Sequence, residues 1–285
     1  MFFASIETWA SGFVPGVDSG YVIGGIWVSG LLFTAPDIYV DRSTLAIVKP
    51  AKWVLAPPFA DRVGWQQQPP AGFGIAKGLL VQKPTTFFHG ADPIKDLTKL
   101  VIPSISNKTV GICPGGVGLS FAAGSHITYP DGVFGGNVDQ TRLAVVYQTS
   151  QGDFQLISNV ADSLGMQWGW RTAAVNKQFV QPSNTGYGLV QGTSILSLNK
   201  IQTLGFTYRS SDNEVRFYLD GKADGSGSAV APGGGAAPIL GARFTDTSGA
   251  FLGIILLHVT WLECSSPALM LSLTANPWQL FSADY

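Results

Sequence analysis

Charge is the scarcest ingredient of this sequence. Asp, Glu, Lys and Arg make up 12% of its 285 residues, about half the usual share of about 25%. The 17 basic and 18 acidic residues leave a net charge of −1. Such a chain carries no electrostatic footprint for nucleic acid, and nucleic-acid binding is not expected. So little charge suits a protein that buries surface against neighbours; an unusually large core is the alternative.

Cysteine and histidine are also rare. Cys113 and Cys264 form no Cys-x-x-Cys pair, which removes the usual zinc pattern. They leave either a disulfide or two buried thiols open. His89, His126 and His258 are scattered, and no Gly-x-Ser-x-Gly accompanies them, so a Ser-His-Asp triad has no support. His258 sits in an apolar run and reads as a hydrogen-bonded core residue. "PGGVG" and "APGGG" lack the Lys-Ser/Thr of a phosphate cradle and read as loops.

Long apolar runs are missing too. "YVIGGIWVSGLLF" and "AFLGIILLHV" fall short of the roughly 20 residues a spanning helix needs, and Gly interrupts both. No membrane insertion is expected. "MFFASIETW" lacks a basic segment and brings in Glu7 early, so it is not read as a signal peptide. Assembly in a cytoplasm is the expectation. The sequon at Asn107 is read as chance.

What is present is turn formers and strand formers. There are 35 Gly and 17 Pro among abundant Val, Ile, Phe, Tyr and Trp, a profile of an all-β protein. Residues 1–97 are rich in Pro and aromatics, as in "LAPPF", "WQQQPP" and "VQKPTTFFHGADP". Pro at this density disfavours long helices, so this region reads as short strands and extended loops. It is the candidate attachment region. The "WQQQPP" beside Trp65 reads as a surface loop or an interface segment.

Residues 98–285 are more regular. "TRLAVVYQ", "MQWGW", "KQFVQ", "QTLGFTYRS", "EVRFYLDG" and "AFLGIILLHVTWLE" read as short strands separated by turn residues, the signature of a sandwich or jelly roll. Leu204, Phe206 and Tyr208 alternate with Gly205 and Thr207; Val215, Phe217 and Leu219 alternate with Arg216, Tyr218 and Asp220. That period of two sets one series toward a core and the other toward solvent. Asp220-Gly221 supplies a tight hairpin turn. Ser265 or Ser266 can cap a short helix with Pro267 in its first turn, and Asn276-Pro277 stops it.

From "FYLDG" through "PILGARF" to "GAFLGIILLHVTWLECSSPAL", the sequence resembles the laminin-G-like or concanavalin-A-like jelly-roll family. Tyr218, Asp220, Gly221, Gly241, Phe251, Gly253 and Leu269 stand at the matching positions. The helix followed by "NPWQLF" resembles the ending of laminin-G-like proteins of tailed bacteriophages and prophages. The resemblance implies a non-enzymatic virion component, for decoration or attachment, assembled in the host cytoplasm. Its implied partners are other virion proteins of capsid or tail, and further copies of itself. The alternative it implies is a tail or fibre adhesin that binds host-surface glycan.

Chemistry is sparse. Hydrolases of this fold carry a Glu-x-Asp-x-Glu strand, and no such pattern occurs; Glu214 and Glu263 are the only glutamates after residue 97. No catalytic residue and no cofactor is expected. Calcium would have to use the loop carboxylates Asp131, Asp139, Asp153 and Asp162, which lack EF-hand spacing. Trp168 and Trp170 fall on one strand face and are the candidate glycan platform, with core packing as the other reading. Trp278 and Phe281 imply a tail pinned on its own core or on a neighbouring subunit.

Overall fold

Short apolar runs broken by Gly, Asn, Asp and Ser fold as strands along the whole described chain. The computed structural model describes residues 20–23, 26–29, 40–41, 46–47, 68, 74–75, 84–91, 98, 104–106, 109–130, 137–150, 155–160, 165–171, 176–181, 189–233, 238–242 and 249–282. The chain divides into two units, one of residues 1–65, 73–77 and 279–285, the other of 66–72 and 78–278. In the first, β1 (Gly20–Ile23) pairs with β2 (Ile26–Ser29), and β3 (Val40–Asp41) pairs with β4 (Ala46–Ile47). There, β5 (Gly74–Ile75) pairs with Phe281–Ser282.

The second unit is an all-β jelly-roll sandwich, as the sequence predicts. Its strands are β6 (Thr86–His89), β7 (Ser104–Ser106), β8 (Thr109–Cys113), β9 (Gly116–Phe121) and β10 (His126–Thr128). There follow β11 (Gln140–Gln148), β12 (Gln155–Val160), β13 (Gln167–Arg171), β14 (Lys177–Gln181) and β15 (Val190–Ile195). The last are β16 (Ile201–Arg209), β17 (Glu214–Leu219), β18 (Lys222–Ser228), β19 (Pro238–Leu240) and β20 (Gly253–Trp261). One sheet runs β15-β14-β13-β12-β19-β10-β7; the other runs β18-β17-β16-β11-β20-β9-β8, with β6 added on β20. All pairings among the described strands are antiparallel.

Strand β6 lies upstream of the expected boundary at 97/98, yet it pairs Thr86 to His89 with Thr260 to Leu257 of β20. The sandwich therefore begins earlier in the chain than its regular alternation suggests. Gln68 belongs to it as well. Its Oε1 accepts from Val117 N at 2.7 Å and its Nε2 donates to Leu256 O at 3.2 Å. The third glutamine of "WQQQPP" is thus a plug within the sandwich.

Gln68 sits where β20 changes partner. Gly253–Ile255 pairs with β9 and Leu257–Thr260 with β6. Between them Leu256 is an extra residue, because Val145 opposes Leu257 and Val146 opposes Ile255. This is a β-bulge. The Leu256 carbonyl accepts from Gly90 N at 2.7 Å and from Gln68. A Cβ on Gly90 would lie 2.6 Å from Gly118 Cα and 2.7 Å from Val117 O, both backbone, so only glycine allows this approach.

The outer face of the second sheet is not open to solvent. All residues from Ile201 to Tyr208 are buried, Gly205 and Thr207 included, because helix α1 (Pro267–Ala275) covers that side. Met270 lies over Gly205, and Thr274 Oγ1 accepts from Gly221 N at 3.3 Å. Ser266 caps the helix by accepting from Leu269 N at 3.3 Å, and Pro267 opens its first turn. Asp220 and Gly221 turn the β17–β18 hairpin with φ of 47° and 79°, the conformation that favours Asp-Gly there.

Gln68→Ala removes both bonds at the junction and strands a Val117 N–H. The expected cost is about 1–3 kcal/mol. Thermal unfolding measures it; a variant as stable as the parent would show that water replaces the side chain without loss.

Candidate functional site

The two tryptophans of "MQWGW" are core residues. Trp168 and Trp170 are each 0% exposed. Trp168 meets Phe206 edge-on at 5.2 Å, and Trp170 meets Phe251 at 5.4 Å and 88°. Trp168 Nε1 donates to Gln178 Oε1 at 3.4 Å. Neither ring offers a face to a sugar, so the expected platform is corrected. Their face of β13 points between the sheets, where burial of such rings contributes most.

The tail is also covered within the single chain. Trp278 is 1% and Phe281 3% exposed. Trp278 N donates to Asn276 Oδ1 at 3.3 Å, and Pro277–Leu280 forms a 3-10 turn. As a docking surface for another subunit these two side chains are already used.

The interior holds a polar end that pattern reading missed. On β11, Ala144 and Val146 face the core, and alternation sends Arg142 the same way. Arg142 is 0% exposed. Its Nε and Nη2 donate to Gln140 Oε1 at 3.1 and 2.8 Å, and Nη1 donates to Met166 O at 3.4 Å. The guanidinium lies 5.5 Å from the Phe206 ring centre. Burial pulls its pKa down to about 9, which still leaves it charged at neutral pH. The bulge at Leu256 brings His258 inward beside Trp168, 6.2 Å between ring centres. Burial, and then the Arg142 charge, pull the His258 pKa down to about 3. His258 is a core residue, as its apolar run implies.

A second buried staple joins the sheets at one edge. Asp224 of β18 accepts from Thr193 Oγ1 at 3.1 Å and Ser194 N at 2.8 Å; its other oxygen accepts from Gln178 Nε2 at 3.2 Å. A register shift in β18 between the partners of Arg216 and Tyr218 turns Asp224 inward.

An open concavity lies on the other side of that hairpin. Glu214, Arg216, Tyr218, Ser226, Pro267 and Leu271 line a groove of about 310 Å³ between the outer face of β17–β18 and the start of α1. Strand alternation sets Glu214, Arg216 and Tyr218 on this face, and Arg216 opposes Ser226 across the ladder. Asn213, at φ 57°, closes the preceding turn. Glu214 is held from two sides: Arg209 Nη2 at 2.6 Å from Oε2 and Arg216 Nε at 2.9 Å from Oε1. Arg209 also pairs with Asp212 at 2.7 Å. These pairs are exposed, so they orient more than they stabilise. Tyr218 is buried beneath; burial pushes its phenol up, and the Thr207 hydroxyl pulls it partly back.

Asp212 stands two residues before Glu214, an acidic spacing that the Glu-x-Asp-x-Glu pattern passes over. Its hydrogen bond from Arg209 holds it below the usual carboxylate range. That is the wrong direction for a general acid. Glu263 is pushed up by burial but is turned to Ser265. Cys113 and Cys264 are free, partly exposed thiols, both pushed up by burial.

Among the described residues no three His, Cys, Asp or Glu side chains gather as a metal set. Asp139 accepts from Ser210 N and Oγ, both at 2.7 Å; Asp131, Asp153 and Asp162 lie outside the described residues, as does Trp65. No described helix is long and apolar enough to cross a membrane.

His258 gives the fold a pH dependence of defined sign. Below pH about 6.5 the unfolded chain takes up a proton that the buried ring refuses until about 3. Stability is lost as pH falls through that window, by up to about 1.4 kcal/mol per pH unit from this group. Urea titrations of wild type and His258→Gln across the window should differ in slope in that sense; parallel curves would refute it.

No family model matches the chain, and no curated protein matches it in sequence. Solved structures do. Domain 4 of AbnA, a GH43 extracellular arabinanase of Geobacillus stearothermophilus seen with arabinotriose, matches 67% of this chain and 98% of its own. Its TM-score is 0.54 at 16% identity. The binding domain of Paraclostridial Mosquitocidal Protein 1 matches 66% of this chain and 51% of its own, with TM-score 0.50 at 12% identity. At such identity the likeness establishes the fold: this chain shares the β-sandwich architecture of those domains.

Proposed function

We propose that the sandwich is a non-enzymatic, lectin-like module that binds carbohydrate in the groove beside α1. One observation carries the reading: the groove sets the apolar edges of Pro267 and Leu271 against an oriented Glu214–Arg216 pair and Ser226. A sugar ring has an apolar C–H face rimmed by hydroxyls. The aliphatic side can take that face, while carboxylate, guanidinium and hydroxyl supply the acceptors and donors for the rim. The similar architecture of an arabinanase domain seen with arabinotriose supports the same class of ligand.

Glycan-array screening followed by titration tests this. Arg216→Ala and Leu271→Ser should each weaken binding of the best glycan about tenfold, equivalent to about 1.4 kcal/mol, with an unchanged melting temperature. Absence of any glycan binding, or wild-type affinity in both variants, would overturn it.

A second reading concerns where the module works. The 12% charge, the Pro- and aromatic-rich first 97 residues and the phage-like "NPWQLF" ending favour a decoration or attachment component of a phage particle. In it, the part of residues 1–97 that lies ahead of Gln68 would face capsid or tail proteins and the sandwich would be displayed. Deleting residues 1–60 should leave strands β6 to β20 folded and abolish incorporation into particles. Incorporation at the normal level would remove this reading.

A further inference from the structure

Among the described strands the second sheet ends at β8, whose five residues lie between Lys108 and Pro114. Among the described strands β8 pairs only with β9, Val110 opposite Leu119 and Ile112 opposite Val117. Leu119 belongs to the core, and directly paired residues share a face, so Val110 and Ile112 point to the core side of the sheet. Gly111 points the other way, against the Ile254 side chain. Val110 is nonetheless 60% and Ile112 81% exposed. Core-side side chains are thus left exposed at this edge.

Edge strands are usually protected by charge, proline or a bulge. The run Thr109-Val110-Gly111-Ile112-Cys113 has no charge and no proline, and its pairing with β9 is regular over all five residues. It is also self-complementary. An antiparallel twofold pairing centred on Gly111 sets Val110 of one copy opposite Ile112 of the other, and Thr109 opposite Cys113. Gly111 on the axis adds no side chain to the closest approach. No like charges meet across such a pairing, and a net charge of −1 gives the copies little mutual repulsion.

We propose that β8 is a self-association edge, through which two copies of this chain join their sheets antiparallel about Gly111. Backbone hydrogen bonds supply the pairing, as in strand addition generally, and the apolar pair Val110–Ile112 supplies the contact. The interface is isologous, so both copies use the same patch. Five residues a side bury less than the roughly 1,200 Å² of a stable complex. The dimer is therefore concentration-dependent in solution and strengthened wherever copies are held close together.

Sedimentation of the full chain over the micromolar range tests this. Wild type should show a reversible monomer–dimer equilibrium. Ile112→Lys, at an exposed position, should keep the melting temperature and raise the dimer dissociation constant at least tenfold. A wild type that stays monomeric at high micromolar concentration, or an Ile112→Lys variant that dimerises equally, would overturn the proposal. The register has its own test. Oxidised Thr109→Cys should give a covalent dimer through Cys113 of the second copy, lost when Cys113→Ser is added. A dimer that Ile112→Lys dissolves but Thr109→Cys cannot cross-link would overturn the antiparallel register.

Discussion

One extra residue in β20 organises the sandwich. Strand β20 is central in its sheet, with β11 on one side and two shorter strands sharing the other. Without an insertion, a strand of period two keeps each residue series on one face throughout. The bulge at Leu256 exchanges the series. Before it, Ile255 faces the core; after it, His258 and Thr260 face inward, opposite Ala144 and Arg142. Leu257, Val259 and Trp261 are sent to the outer face, where each is 0% exposed. The bulge also breaks the ladder so that β9 can hand over to β6. Gly90 and Gln68 satisfy the carbonyl left between them, as a buried carbonyl requires.

That exchange has consequences on both faces. The outer face becomes apolar at β20, and farther along the same sheet α1 packs its Met270 and Leu273 side on β16 to β18. The interior becomes polar at one end, and His258 shares it with the guanidinium of Arg142. A charge there is costly unless solvated by the protein. The chain answers with hydrogen bonds from the guanidinium to Gln140 and Met166, and with the Phe206 face. Keeping His258 neutral is part of the same solution, because two cations at one buried end would add repulsion to desolvation.

Local elements were legible in the sequence because local chemistry decides them. The Asp220-Gly221 turn, the Ser266 cap, the Pro277 break and the alternating strands each follow from a few neighbouring residues. Three features were not legible, and each depends on partners distant in sequence. Gln68 and β6 read as parts of a Pro-rich arm because only their pairing with Leu256 and Thr260 reveals their place. Gly205 and Thr207 read as solvent-facing because the helix that covers them follows some sixty residues later. Trp168 and Trp170 share a face either way, and alternation cannot say whether that face is the inside.

The same logic explains why the groove escaped pattern reading. Its apolar side comes from the first turns of α1 and its polar side from β17 and β18, which meet where α1 packs on that sheet. A helix laid on a twisted sheet cannot cover the whole of it. It stops short of the hairpin's outer row, and Glu214, Arg216 and Ser226 are left beside Pro267 and Leu271. Among the described residues the aromatic rings of the interior are packed against one another, and the buried Arg142 guanidinium is engaged by Gln140 and Met166. Among the described residues, the margin between cover and sheet is left open. There the side chains are fixed by ion pairs to a rigid hairpin, which lowers the entropy lost when a ligand orders them.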